Sequence, residues 1–316
     1  MRTTLPALAL AAAAFWTPTV GVAQAQAQDQ RPTFRTTVER VTLSATVRTR
    51  HGKPVTDLTA EDFELVDSGV AKPFLDFRAD RSPVRLALLM DVSGSMDVAA
   101  KRAAAQEAAW HLLSWLTAGE DEVSLYAFDR QIVEVEPPTP SPGQVLEKLD
   151  TLRPYGATSL FDAIAATGRA VAARGEGRRA VVVLTDGADN ASRLTPAEVS
   201  GIASAIDVPV YIVVVVSPYD RAGQTTVNAE EVDAMLRGRL GDLARWTGGD
   251  IFAMIGSAQA SLAARQIVTE LRHQYLIAFE PDATPGWHPI ELRTRNKDYV
   301  VRTRSGYVTP SRTGTH

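Results

Sequence analysis

The 316-residue chain contains no cysteine. Disulfides, thiolate metal sites, cysteine nucleophiles and a lipidated cysteine near the N-terminus are therefore all excluded, and stability must come from the packed core. Histidine is scarce as well: His51, His111, His273, His288 and His316 are scattered and read as structural or surface groups. Long apolar runs are missing too. The apolar stretch near the N-terminus and, later in the chain, the aliphatic run Val208 to Val216 both fall far short of the roughly 20 residues a membrane span needs, so no transmembrane anchor is expected. A formal net charge of -4 gives no electrostatic reason to expect nucleic acid or an anionic membrane surface as partner. There is no G-x-G-x-x-G, no phosphate loop and no G-x-S-x-G elbow, which removes the usual sequence signs of nucleotide binding and serine hydrolysis.

What is present begins with a leader. Arg2 supplies a small positive region, Leu5 to Trp16 an apolar core, and Ala23-Gln-Ala25 or Ala25-Gln-Ala27 small-residue cleavage sites. Residues 1–27 thus read as a secretory signal peptide, and the mature protein is expected to be secreted or periplasmic. Cysteine-free export points to a bacterial protein. Residues 28–35 read as a flexible lead-in.

Two textures follow. From 36 to 80 the chain reads as β structure: Val41, Leu43, Ala45 and Val47 alternate with polar residues as in a half-buried strand, and Asp67-Ser-Gly69 reads as a turn. From 81 to 273 strands alternate with helices. Val84 to Asp91, Val123 to Phe128, Ala180 to Leu184 and Pro209 to Val216 read as strands, with a short one at Gln131 to Val135 that Pro137, Pro138 and Pro140 cut off. Helices are expected over Val98–Leu116, Ser141–Leu152, after Gly156, after Thr195-Pro196, up to Trp246 and over Ser257–His273, with Tyr219–Ala229 a polar loop. This alternation argues a Rossmann-like α/β fold, a doubly wound and mainly parallel sheet. Residues 274–308 revert to β, with three strands, and 309–316 form a tail. Neither β segment has enough strands for a core of its own. They are expected to pair as one β-sandwich with the α/β domain inserted between them.

The chemistry concentrates at Asp91-Val-Ser93-Gly-Ser95, where a buried strand ends at a carboxylate followed by two hydroxyls. Asp186, in Leu184-Thr-Asp-Gly187, ends another strand, and Thr158 lies in the loop Gly156-Ala-Thr-Ser-Leu160. In the usual doubly wound order the two aspartates become neighbours at the switch point, where open α/β sheets bind ligands. A donor set of oxygens alone suits a hard cation such as Mg²⁺. Singly, each residue has a plainer role, such as capping the next helix.

Together, D-x-S-x-S, the threonine loop and L-T-D-G resemble the metal-ion-dependent adhesion site of von Willebrand factor type A domains. With the leader and Leu58-Thr-Ala-Glu-Asp-Phe-Glu-Leu-Val-Asp-Ser-Gly69, the layout resembles secreted bacterial proteins related to that domain. The resemblance implies Mg²⁺ (or Mn²⁺) held by Asp91, Ser93, Ser95, Thr158 and Asp186. It also implies a binding rather than catalytic role, toward a protein partner that presents an Asp or Glu. A structural or assembly protein with a fold-stabilising metal, or a hydrolase using Ser93 or Ser95, are the alternatives.

Overall fold

The computed structural model describes residues 40–79, 83–98, 100–175, 177–205, 207–216, 234 and 236–309. The expected leader, the lead-in, the Tyr219–Ala229 loop and residues 310–316 lie outside them.

The central layer is a six-stranded sheet. Its strands are β5 (Val84–Asp91), β6 (Glu122–Phe128), β7 (Ile132–Thr139), β8 (Arg178–Thr185), β9 (Val210–Val215) and β10 (Ile251–Met254), in the order β10-β9-β8-β5-β6-β7. All pair in parallel except β7, which runs antiparallel to β6 along one edge. Strands β5, β8 and β9 are apolar runs because both their faces are covered. Leu86, Leu88 and Met90 point into one core; Ala87 and Leu89 point into the other. Helices α1 (Lys101–Ser114), α2 (Pro142–Leu149) and α6 (Ser257–Arg272) cover the first face. Helices α3 (Leu160–Ala173), α4 (Pro196–Ala205) and α5 (Arg239–Trp246) cover the second. The sheet is doubly wound, with β5 and β8 side by side where the winding reverses.

Two readings from the sequence need correction. Strand β7 does not stop at Val135 but continues through Pro137 and Pro138 to Thr139. Proline cannot donate to a ladder, yet β7 is an edge strand and its register with β6 shifts at this point, so no hydrogen bond is forfeited. Helix α1 begins at Lys101 rather than Val98, because a 3₁₀ turn over Gly94–Asp97 carries the chain out of the Asp91 loop first.

The terminal β segments build two four-stranded antiparallel sheets. One contains β1 (Val41–Thr49), β4 (Phe74–Arg78), β11 (Tyr275–Phe279) and β13 (Tyr299–Arg302), in the order β13-β1-β11-β4. The other contains β2 (Phe63–Asp67), β3 (Val70–Lys72), β12 (Gly286–Thr294) and β14 (Gly306–Thr309), in the order β14-β12-β2-β3. Each sheet mixes strands from both ends of the chain, and the two share one core that includes Leu43, Phe63, Leu65, Tyr275, Ile277, Phe279 and Leu292. They form a β-sandwich. Ser68 and Gly69 both take positive φ, the two-residue hairpin geometry that matches strand twist. Thr309 belongs to β14 and not to the tail.

Strand β1 is buried on both faces, not one. Ser44 and Thr46 are 5% and 4% exposed because the outer face of β1 meets the α/β layer. There Ser44 Oγ donates to Asp207 Oδ2 at 3.0 Å, and Arg48 of β1 pairs with Glu270 of α6. Arg302 of β13 reaches both Glu270 and Asp250. On the α/β side, Arg178, Asp207, Tyr211 and Asp250 all lie at the amino ends of β8, β9 and β10. The sandwich therefore covers that edge and leaves the carboxyl edge to other uses.

Candidate metal centre

Three loops meet at the carboxyl edge. Asp91 is the last residue of β5 and only 2% exposed. Its Oδ1 accepts the Ser93 N–H at 2.9 Å, and its Oδ2 accepts the Thr185 hydroxyl at 2.6 Å. Burial raises its pKa above the usual carboxylate range. Hydrogen bonds from Thr185 and Ser93 oppose that shift, and the nearby charge of Asp186 adds to it. The carboxylates of β5 and the β8 loop are thus electrostatic neighbours. Ser93 is buried, and its hydroxyl lies 3.1 Å from that of Ser95 in the 3₁₀ turn.

The second loop is bonded to the first. Gly94 N–H donates to Gly156 C=O at 3.0 Å, and Tyr155 N–H to Val92 C=O at 2.7 Å. Gly156 has φ +85, a conformation that favours glycine, and a Cβ there would lie 3.0 Å from Asp129 Oδ2, so the Asp129 side chain would have to give way. Thr158, 1% exposed, is held by the third loop. Its N–H donates to Asn190 Oδ1 at 2.9 Å, while its carbonyl accepts the N–H groups of Asn190 and Ala191.

The β8 loop does more than present Asp186. Asp189 accepts the Leu160 N–H at 3.0 Å. Ser192 Oγ accepts from Phe161 and Asp162, so these two side chains satisfy N–H groups at the start of α3 that have no partner within the helix. Asp162 answers by accepting from Arg193 and Leu194. The polar stretch Asp189-Asn-Ala-Ser192 carried the residue types of helix caps, which was the available signal.

The residue that sequence reasoning missed is Lys101. Its ammonium lies 3.0 Å from Asp186 Oδ2, with both side chains under 10% exposed. Asp186 Oδ1 accepts the Ala188 N–H at 3.1 Å. A signal existed, because a lysine in the first turn of a helix opposes the macrodipole and calls for an acidic partner.

The donor set tests well against a hard divalent cation. It offers two carboxylates and neutral hydroxyls, oxygen throughout, and no three carboxylate or imidazole groups cluster among the described residues. One orphan-free feature stands out: each carboxylate is oriented by a backbone N–H on one oxygen. Lone pairs remain on both for a further cation.

No helix among the described residues is long and apolar enough to cross a membrane. A comparison with curated proteins returned no match. Among solved structures, the chain is similar to the conserved hypothetical protein BatB from Bacteroides thetaiotaomicron, at 17% identity and TM-score 0.47, covering 59% of this chain and 98% of that one. It is also similar to a von Willebrand factor type A protein from Catenulispora acidiphila, at 14% identity and TM-score 0.48, covering 89% of this chain and 76% of that one. The family model that matches is the von Willebrand factor type A domain, over residues 86–188, the stretch from β5 to the Asp186 loop. Over those residues the chain is similar to von Willebrand factor type A domains.

Proposed function

We propose that the protein is an exported, metal-dependent binding module. Asp91, Ser93, Ser95, Thr158 and Asp186 would hold Mg²⁺ (or Mn²⁺). The ion, when bound, supplies an electrophilic position for an Asp or Glu carboxylate of a partner protein. The observation that carries this reading is the meeting of two oriented carboxylates and neutral hydroxyls at the switch point, on loops bonded to one another. Two carboxylates neutralise a divalent charge, which leaves the centre attractive to another anion. We read the site as binding rather than catalytic, because the Ser93 hydroxyl bonds to Asp91, a carboxylate assigned here to the metal, and lies 3.1 Å from the Ser95 hydroxyl.

A purely fold-stabilising metal is less well supported, because Lys101 already balances Asp186 inside the protein. The export reading rests on residues 1–27, and sequencing of the mature N-terminus tests it. The metal reading is tested by isothermal titration of leader-free protein with Mn²⁺ and Mg²⁺, beside Asp91→Ala and Asp186→Ala. Saturable one-site binding, lost in both variants while they stay folded, is expected. Equal binding in all three proteins defeats the assignment of the site, and unfolding of Asp186→Ala that metal cannot rescue favours a structural role. Partner capture in magnesium against chelator then tests the adhesive half of the proposal.

A further inference from the structure

We infer that Lys101 is the resident cation of this site, and that a divalent metal loads only by displacing its ammonium from Asp186. The inference rests on the metal-binding reading above and goes beyond it by naming the competitor within the chain.

Charge leads the argument. Asp91 and Asp186 carry two negative charges when ionised, and Lys101 cancels one of them at 3.0 Å. A divalent ion added beside the ammonium makes the buried cluster net positive. The same ion with the ammonium gone makes it neutral. With Asp91 2% exposed and the Lys101 and Asp186 side chains 9% and 5% exposed, like charges repel here far more strongly than in bulk water. Both cations also seek the same lone pairs on Asp186 Oδ2.

The local backbone supports the competitor role. Lys101 opens α1, where the helix dipole disfavours a cation. Ala100, just before it, sits at φ 60 and ψ 17, a left-handed conformation costly for a residue with a Cβ. Asp186 offsets the unfavourable dipole at Lys101, so loss of that pairing to a metal removes a reason for Lys101 to stay. A four-carbon stem lets the ammonium swing outward without moving the helix. Competition of this kind lowers metal affinity in the unpartnered protein and couples loading to the opening turn of α1.

The test uses leader-free protein and Mn²⁺ alone, with free Mn²⁺ read by electron paramagnetic resonance. Lys101→Met is expected to bind at least about tenfold more tightly than wild type. Equal or weaker affinity in Lys101→Met, with binding still lost in Asp91→Ala, overturns the inference and leaves the metal reading standing. Absence of binding in every protein overturns both. A second measurement needs no variant. Acetylation by an amine-selective reagent, mapped by mass spectrometry, is expected to accelerate at Lys101 on Mn²⁺ saturation while the exposed Lys53, Lys148 and Lys297 keep their rates. An unchanged Lys101 rate at saturating Mn²⁺ overturns the inference.

Discussion

Glu270 is the residue whose removal should most disturb the join between sandwich and α/β layer. It lies on α6 at 3% exposure, pairs with Arg48 of β1 and Arg302 of β13, and accepts the Tyr211 hydroxyl at 3.0 Å. In Glu270→Ala the two guanidiniums, 16% and 17% exposed, face each other with Asp250 as the remaining acidic partner of Arg302. Breaking a buried pair by deleting one partner costs about 3–5 kcal/mol, since the other charge stays behind without compensation. For a domain of this size each kcal/mol is worth about 2–4 °C, so Tm should fall by roughly 10 °C. Glu270→Gln keeps acceptors for Tyr211 and should lose about half as much. Thermal and urea unfolding at neutral pH measure both. The decisive arm is Glu270→Ala with Arg302→Met, which removes one stranded charge and should recover part of the loss. A Tm drop under about 2 °C in the single variant, or strictly additive losses in the double, would refute this account of the interface.

Three further outcomes follow from the same geometry. In Gly249→Ala the new Cβ would lie 2.0 Å from the Val210 carbonyl oxygen, a backbone atom that cannot swing aside, so the variant should lose more than about 3 kcal/mol or fail to accumulate as soluble protein; wild-type melting would contradict it. Tyr211 is fully buried and its pKa is pushed up to about 12 by that burial. With a folded value above the unfolded one, its contribution is present below about pH 10 and lost as pH rises through about 12. The stability difference between wild type and Tyr211→Phe, read by urea titrations across that window, should shrink by on the order of 2–3 kcal/mol, and a flat difference would count against it. Asn190→Ala removes the acceptor of Thr158 N–H and should cost about 1 kcal/mol, with faster hydrogen exchange at Thr158 than at the unaffected amides of β8; unchanged exchange would show that the loop does not depend on Asn190.

The inserted architecture was legible because each half of the sandwich is incomplete alone. A β segment with its own hairpin but too few strands needs partners, and the matching deficit lies more than 190 residues along the chain, as in the pairing of Val41 with Phe279. The doubly wound sheet was legible from continuous apolar runs, which a strand needs when helices cover both its faces. What escaped were properties that belong to neighbours rather than to the segment. Ser44 and Thr46 look like residues of a solvent face; only the α/β layer, which brings Asp207 to Ser44 from 163 residues later, buries them. Pro137 and Pro138 look like breakers unless β7 is known to be an edge. Strand β14 passed unnoticed because Tyr307 alone carries its core contact.

The site divides the same way. Asp91, Ser93 and Ser95 announce themselves because a buried strand rarely ends in a carboxylate and alternating hydroxyls without use for them. Lys101 does not, since its partner Asp186 lies 85 positions away and its own neighbours are alanines and Arg102. Yet the fold explains why the two parts of the molecule can be separated in function. The polar contacts of the sandwich fall at the amino ends of β8, β9 and β10, while the oxygens and Lys101 gather at the carboxyl ends of β5 and β8. Changes at Glu270 should therefore alter stability with little effect on Mn²⁺ affinity in the protein that remains folded. Changes at Lys101 should alter affinity, and stability only to the extent that Asp186 is left without its counter-ion. Sites this far apart with no shared partner usually contribute additively, so a Glu270→Gln, Lys101→Met double variant should show the affinity of one parent and the melting deficit of both. A departure from additivity in either quantity would mean that α6, which packs against α1 in a common core, transmits strain between the two edges of the sheet.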